Sequence, residues 1–369
     1  MHFLFLFFLI GKSLFSDVSH IRPIENRNLY LPNLFFIEPY PTTSQVVEKG
    51  KSYWTVAYSN SNMIDDNNAL VDKSSYPKWK PFYNQKIAEN AYEGQITPFT
   101  YYNTEYYYYG RLAEQQRVRI DAEVSRGSFK YAYGIRDKLE LGVELTLLSY
   151  NTGILDKPIT AYHRASGIPY PLRDIYPDNK MSFIMTDSTS TIINAKPRTG
   201  LGDSVVDLKW NLLAENSFIP SLSLVSLVKI PTGFRNYAMS SGKFDLGGGV
   251  VLQNSWKDFV FFLNGYISTA NQSFNSDQIR TKSTVFHSSF TIGYKWTEKL
   301  FLLVQGEYKT SPYKTRIFPL YQEVVMLSFG FNYKVLDSCS VKFNLAEDPY
   351  FQSRVVPDIT GQLAFTCSP

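Results

Sequence analysis

Apolar and polar residues alternate, in segments of roughly ten residues, from about residue 127 to the C-terminus. In one segment Leu141 and Val143 fall on one side of a strand, and Glu140 and Glu144 fall on the other side. One face therefore suits lipid and the other suits water. Very short and very long connectors take turns between the segments, a sorting that is not expected of a soluble β-sandwich. The pattern predicts an all-β fold, a closed antiparallel transmembrane β-barrel with short periplasmic turns and long extracellular loops.

The composition agrees with a barrel. Aromatic residues make up 16% of the 369 residues, with 27 Tyr and 27 Phe, and membrane barrels concentrate such residues in two girdles at the lipid interfaces. Charged residues make up only 19%, and the formal net charge is +4. Because no basic tract occurs, we expect no nucleic-acid partner.

The first residues predict export. Residues 3–10 are all Phe, Leu or Ile, and the small residues Ser13 and Ser16 follow. This run is too short for a helix across a bilayer of about 30 Å, and no other stretch of about 18 apolar residues follows it. We therefore expect a signal peptide over residues 1–16, a periplasmic N-terminal segment over 17–49 and an outer-membrane β-barrel over 50–369. The expected location is the outer membrane of a Gram-negative (diderm) bacterium.

Twelve strands can be placed by alternation, with five short turns and six long loops between them. An even number of antiparallel strands with both termini on the turn side requires these counts. The predicted strands lie near residues 53–60, 127–135, 139–149, 203–212, 219–229, 244–255, 258–268, 284–295, 299–308, 324–335, 339–346 and 357–366.

The first long loop leaves the strand count open. It contains a tyrosine-rich patch over residues 101–109 and a second β-prone stretch over 116–124. These two stretches could form an extracellular hairpin, or they could be two further wall strands, which would make the barrel fourteen-stranded.

The residues on the polar faces form the predicted lining of the lumen. Lys130 falls opposite Glu144 across a tight turn, so opposite charges can pair between strands. With Lys295 and Lys342, the inward lysines number seven against four acidic residues, which favours weak anion selectivity if the lumen conducts. The lining residues are Lys130, Glu140, Glu144, Asp207, Lys209, Lys229, His287, Ser289, Glu307, Lys309, Asn332 and Lys334.

One group of lining residues invites an enzymatic interpretation. His287 and Ser289 share a face, and Glu307 falls opposite Ser289 on the next strand. Outer-membrane phospholipases are also twelve-stranded and use a His and a Ser two positions apart. Their pair faces lipid, whereas the alternation turns His287 and Ser289 inward, so we expect no enzyme, with a lipid hydrolase as a minor alternative. No cluster has the spacing of metal ligands, and no cofactor is expected.

Three loop motifs lie around His163 in the second long loop, around Gly202 before a strand and around Pro231 after the next strand. Together they resemble an uncharacterised family of Gram-negative outer-membrane barrels, akin to those encoded beside aromatic-degradation pathways. The resemblance implies the fold and the location, but the family carries no established activity. The glycines and prolines of these motifs read as loop-to-strand junctions, and the segment around His163 reads as a packed loop over the pore. The residues that carry the resemblance are His163, Gly167, Pro169 and Arg173 in the second long loop, Gly200, Gly202 and Asp203 before a strand, and Pro231 and Gly233 after the next one.

Two functions are compatible with these patterns. The first is a narrow passive pore for small solutes, which the resemblance would extend to hydrophobic or aromatic ones. The second is a structural or surface-exposed interaction barrel with a closed lumen. In both cases the expected partners are outer-membrane lipid and the barrel-assembly machinery, and the pore adds a small solute.

The only two cysteines predict a disulfide. Cys339 lies just past a tight turn, and Cys367 lies at the same end of the neighbouring last strand. Both have the parity of one sheet face, and the periplasm is oxidising. We expect a Cys339–Cys367 bond; the alternative is two unpaired thiols at the rim.

Overall fold

The computed structural model describes residues 21–66, 117–166, 173, 177–187, 190–216, 219–271, 276, 279–315, 317, 320–348 and 357–368. The expected signal peptide, the tyrosine-rich patch over 101–109 and the motif residues Gly167 and Pro169 lie outside this part of the chain.

The described chain forms an antiparallel barrel whose wall has twelve strands, with three further strands joined to the same sheet. Pairing between the first and the last strand closes the wall. Along the chain the strands are β1 (Ser52–Asp66), β2 (Arg117–Arg136), β3 (Leu139–Asn151), β4 (Ser182–Thr186), β5 (Thr191–Ala195), β6 (Arg198–Leu201), β7 (Ser204–Leu213), β8 (Ser221–Ile230), β9 (Asp245–Trp256), β10 (Phe259–Ser268), β11 (Arg280–Thr281), β12 (Val285–Lys295), β13 (Leu300–Lys309), β14 (Tyr313–Lys314), β15 (Val324–Leu336), β16 (Cys339–Glu347) and β17 (Ile359–Cys367).

The predicted barrel is confirmed, and each of the twelve predicted segments lies on a wall strand. The added strands β4, β5 and β6 belong to the second long loop and extend the sheet beyond β2 and β3. One helix, α1 (Asp156–Ser166), lies in the same loop. Among the described helices, none has both the length and the apolar character needed to cross a membrane.

The described part of the stretch over 116–124, which begins at residue 117, belongs neither to a separate hairpin nor to a further wall strand. Residues from Arg117 onwards belong to the 20-residue strand β2, which pairs with β1 from Arg119 to Tyr133. The pattern hid this continuity because the polarity of β2 inverts near residue 125. After residue 125, towards the turn end, polar side chains such as Lys130 face inward. Before residue 125, towards the loop end, the inward side chains are apolar, as at Ile120 and Val124.

The outer face of the wall carries an apolar belt. Side chains such as Val56, Leu145 and Phe329 are about half exposed, and their sequence neighbours in the strand are buried inside. The strands therefore have the apolar-out, polar-in arrangement of a membrane barrel.

The described part of the segment preceding β1, which the sequence analysis assigned to a periplasmic segment over 17–49, lies against the inside of the barrel. We call residues 21–48 the plug. Ile21 and Ile24 pack against β10 and β13, residues 29–36 reach the loop end, and Lys49 bridges to Gly134 at the turn end. The plug thus climbs the lumen and returns before β1 begins.

The top of the plug is covered by an apolar cluster, which we call the cap. Leu29, Leu31 and Phe35 of the plug are buried in it, against side chains from the inverted part of β2 and from the long loops. Burial of this much apolar surface fixes the turn of the plug at the loop end. Cap residues from the long loops are Phe183, Met185, Ile193, Ala195, Ala238, Met239, Ala270, Ile279, Tyr313, Ile317 and Leu320.

The predicted disulfide is present. Cys339 and Cys367 face each other directly in the β16–β17 ladder, and their Cα atoms are 4.2 Å apart. The same register places Leu345 opposite Gly361. The bond therefore fastens the last strand to its neighbour at the turn end of the barrel.

Replacing both cysteines in C339S/C367S should lower the free energy of unfolding by about 3–4 kcal/mol, because the closed loop restricts the unfolded chain. Unfolding of the detergent-solubilised protein under non-reducing conditions measures this loss. Reduction of the native protein is the matched control and should give the same loss. Equal stability of the variant and the oxidised protein would contradict the expected stabilisation.

Candidate pore

The plug is held by hydrogen bonds between wall side chains and its main chain rather than by β-sheet pairing. Gln305 of β13 accepts a hydrogen bond from the Ile24 amide at 3.0 Å and donates one to the Ile24 carbonyl at 2.8 Å. On the other side, the Thr42 amide donates to Asn264 Oδ1 at 3.0 Å. Buried main-chain groups must be paired, and the polar lining of the barrel supplies their partners.

The returning arm of the plug lies against β7 to β10. The Ile37 amide donates to Asp245 Oδ2 at 3.0 Å, and the Ser44 carbonyl accepts from Asn211 Nδ2 at 3.0 Å. Ile37 also packs in a buried apolar cluster with residues of β7, β8, β9 and β10. This quadrant of the lumen is therefore filled.

Most of the charged lining residues are paired, so the numbers of lysines and acidic residues along the strands do not by themselves predict ion selectivity. Lys209 lies 3.2 Å from Glu140, and Lys130 lies 3.2 Å from Asp207. Glu144 is opposite Lys130 in the register, as predicted. It forms ion pairs with Arg126 at 2.6 Å and with Arg27 of the plug. A surplus of lysines along the strands does not give the field in the lumen, because their partners include plug residues and carboxylates on other strands.

Lys229 is the most fully paired of these cations. Its Nζ atom lies 2.9 Å from Asp245 and 3.0 Å from Asp203, and it donates to the Phe35 carbonyl of the plug at 2.5 Å. Lys229 and Asp245 are both fully buried. This group joins two wall strands and the plug.

The structure places His287, Ser289 and Glu307 inside the lumen, with Ser289 opposite Glu307 in the register. His287 Nε2 is 2.9 Å from the hydroxyl of Ser268, and Glu307 accepts a hydrogen bond from Gln305 at 2.9 Å. The hydroxyl of Ser289 has no hydrogen-bond partner among the described residues. The three side chains lie close together without the hydrogen bond between nucleophile and base that activates a serine.

The remaining predicted lining residues lie nearer the turn end of the barrel or pair with the plug. Lys309 lies 3.5 Å from Glu38 of the plug. Asn332 is buried opposite Lys342, and Lys334 lies 3.1 Å from the exposed Asp337 at the turn end. Within the described residues, no group of three or more His, Cys, Asp or Glu side chains is placed to hold a metal ion.

Arg173 ties the second long loop to the seam that closes the barrel. Its guanidinium donates to Asp156 Oδ1 of α1 at 2.9 Å and also contacts Asn62 of β1 and Asp358 beside β17. His163 lies on the same helix, α1. The loop predicted to pack over the pore is therefore anchored, through Arg173, to both strands of the seam.

The two glycine motifs meet at the loop end of β7 and β8. The Gly233 amide donates to Asp203 Oδ1 at 3.1 Å, and the Gly202 amide donates to the Thr146 carbonyl at 3.0 Å. A Cβ at Gly233 would lie 2.9 Å from the Gly202 carbonyl carbon, so the close approach requires glycine. Gly200 likewise lies against Phe234, and Pro231 follows the end of β8. These residues shape a strand entry.

Among the described residues, openings lie on more than one side of the plug. One of about 20 Å³ lies between Glu38, Pro39 and Pro41 of the plug and the strands that carry His287 and Glu307. A vestibule of about 600 Å³ lies at the turn end, lined by Arg22, Glu140, Asn332 and Lys334 among others. A narrow groove of about 30 Å³ lies deeper, between the plug and the quadrant formed by β16, β17, β1 and β2. The residues that line the groove are Glu25, Arg27, Tyr40, Thr55, Ala57, Ser59, Arg126, Ser128, Lys130, Glu144, Lys342, Gln362 and Ala364.

The vestibule and the groove follow the same strands. On β1, Tyr53 lines the vestibule, and the next inward positions, Thr55 and Ala57, line the groove. On β17, Thr366 lines the vestibule and Ala364 lines the groove. The vestibule and the groove thus lie along one side of the barrel from the turn end.

Sequence reasoning missed the residues that the plug contributes. Arg22, Glu25, Arg27 and Tyr40 face the lumen lining, but they precede the first strand and show no alternation. The available signal was composition, since 12 of the 28 residues over 21–48 are Ile, Leu, Phe or Pro and none is Gly, unlike a flexible solvated linker.

Comparisons with known proteins agree with the fold. Residues 90–367 match the sequence model of a family described as protein of unknown function (DUF3187). No curated protein matches the sequence.

Several solved outer-membrane proteins are similar in structure at low sequence identity. The COG4313 outer membrane channel from Pseudomonas putida F1 is 11% identical, with a TM-score of 0.51 over 90% of this chain and 100% of that chain. The NanC porin is 8% identical, with a TM-score of 0.40 over 66% and 93%. The toluene transporter TbuX of Ralstonia pickettii is 8% identical, with a TM-score of 0.38 over 87% and 90%. The likeness to the P. putida channel shows a common fold.

Proposed function

Because the chain belongs to this family of unknown function and folds as a closed barrel, we propose that it is a narrow passive channel for small solutes in a Gram-negative outer membrane. The observation that carries the proposal is the vestibule and the groove, which leave space along one wall beside the plug. The apolar belt on the outer face supports a lipid partner. Insertion of such a barrel calls for the barrel-assembly machinery as a second partner.

The closed-lumen interaction barrel is the second candidate, and the contacts of the plug favour it. The plug is bonded to strands on several sides, through Gln305, Asn264 and Lys342, and its top is buried in the cap. In that case the groove would be a packing defect rather than a path.

Conductance separates the two candidates. The refolded full-length protein, checked for a heat-modifiable fold, should give discrete small current steps in planar bilayers, because the groove and the vestibule are lined with polar groups. A double variant, Thr42→Cys with Asn264→Cys, would fix the plug where these residues already touch, and it should conduct like the wild type. Bilayers that stay sealed at every voltage would overturn the channel and favour the closed barrel.

A further inference from the structure

Resting on the proposed channel, we infer that the groove is an anion path: small inorganic anions and small carboxylates pass between the plug and the quadrant formed by β16, β17, β1 and β2. In this proposal the path leads along Thr55, Ala57 and Ser59 of β1, which line the groove, towards the vestibule, which Arg22 lines.

The position of the path follows from how the polar side chains of β1 are used. Thr55 bonds sideways to Thr366 at 2.8 Å, and Ser61 bonds to Thr360 at 2.6 Å. The hydroxyl of Ser59 accepts a hydrogen bond from Gln362 at 3.1 Å. Their partners are on β17 rather than on the plug. The wall still contacts the plug across the groove, because Gln362 also donates to the Glu25 carbonyl at 3.2 Å.

Small side chains keep the path open. Ala57 of β1 lies directly opposite Ser128 of β2, and Ala364 of β17 lies opposite Ala57 on the other side. A row of Ala and Ser across three neighbouring strands leaves room that the plug does not fill, whereas the opposite quadrant packs against Ile37 and Ser44.

The charges along the groove favour anions. Four cationic side chains line it, Arg27, Arg126, Lys130 and Lys342, against two carboxylates, Glu25 and Glu144. The ion pairs behind the lining do not remove this excess. Asp207 and the Glu140–Lys209 pair add one cation and two carboxylates, which gives five cations against four carboxylates. The vestibule adds three cations, Arg22, Lys51 and Lys334, and two further carboxylates, Glu48 and Asp337, so that eight cations stand against six carboxylates. A narrow passage with this balance lowers the energy of an anion relative to a cation.

Arg22 gives the path a receiving group at its inner end. Its guanidinium stacks on the ring of Tyr53, 3.9 Å from the centroid, and it lines the vestibule. Its Nη1 atom is buried and has no hydrogen-bond partner among the described residues. A guanidinium with an unused donor is suited to a carboxylate or a small inorganic anion.

The charge test uses Ser128, which lines the groove between Arg126 and Lys130 on the same face of β2. In a KCl gradient across a planar bilayer, the wild-type reversal potential should show preference for chloride. S128D should move it toward potassium, and the matched neutral variant S128N should leave it near the wild-type value. Both variants keep the small polar character of the position, and cations nearby can accommodate the added carboxylate.

The space test uses neighbouring positions of β1 with opposite orientation. Ala57→Trp places a bulky ring in the groove and should reduce the conductance at least about fivefold, because a narrow path has no alternative route. Val56→Trp places the same ring on the lipid-facing side and should leave the conductance unchanged.

Each outcome has a distinct meaning. Cation preference of the wild type would overturn the anion path and leave the channel itself standing. The same holds if S128D leaves the reversal potential unchanged and Ala57→Trp leaves the conductance unchanged. A wild type without any conductance overturns the channel and the path together. Chloride preference that S128D shifts and S128N does not is the result the proposal requires.

Discussion

Removal of residues 21–45 should turn the narrow channel into a wide pore, with a conductance higher by roughly tenfold. Eight-stranded barrels are just filled by their own side chains, so a twelve-stranded wall encloses additional space, and here the plug occupies it. The lining groups that lose plug partners, such as Gln305 and Glu144, would then face water, which satisfies them. Single-channel recording of the folded deletion variant measures the change.

The deletion has a direct control. A synthetic peptide of residues 21–48, added to the turn side of the deletion variant, should lower its conductance toward that of the full-length protein. Unchanged conductance after the deletion would mean that the plug is not what narrows the lumen. In that case the loop cap would be the remaining barrier.

Replacement of Lys229 should have the largest effect of any single side chain in the lumen. Lys229→Met leaves the carboxylates of Asp203 and Asp245 facing each other without their shared cation, and it also removes the donor to the Phe35 carbonyl. Loss of one partner from a buried ionic group costs about 3–5 kcal/mol. Urea unfolding of the protein in lipid or detergent measures the loss.

Lys334→Met is the matched control. Lys334 also pairs with an aspartate, but Asp337 is fully exposed at the turn end, and such pairs contribute about 0–1 kcal/mol. Equal losses for the two variants would contradict the view that burial of the Lys229 group determines its contribution.

The wall could be predicted from the sequence, whereas the contents of the lumen could not. Period-two alternation fixes which side of a strand meets lipid, and a tight turn fixes register, so Lys130 could be placed opposite Glu144. The plug follows no period, because its conformation is set by side chains from strands hundreds of residues away. Ile24 and Gln305, for example, are 281 positions apart.

The candidate site was predicted only in part for the same reason. Parity gave inward positions such as Lys209 and Lys229, but their partners depend on pairings across the lumen, which no local pattern records. The sequence count of seven lysines against four acidic residues therefore overstated the cationic excess, because ion pairs with other strands and with the plug reduce it. The groove depends instead on small residues such as Ala57 and Ser128, which carry no chemical signature.

The inversion of polarity along β2 also indicates how far the wall would extend through a membrane. Over the ten residues 126–135, every second side chain faces outward and is compatible with lipid. At about 3.4 Å per residue and a strand tilt near 40°, this stretch spans about 26 Å along the barrel axis. This matches the apolar band of a bacterial outer-membrane barrel, about 25 Å tall. In the proposed membrane location, the outer surface of the bilayer would lie near residue 125, with the cap and the Arg173 anchor above it. The plug would then span two surroundings: its two ends lie at the turn end of the barrel, and its turn is enclosed in a protein core beyond the membrane.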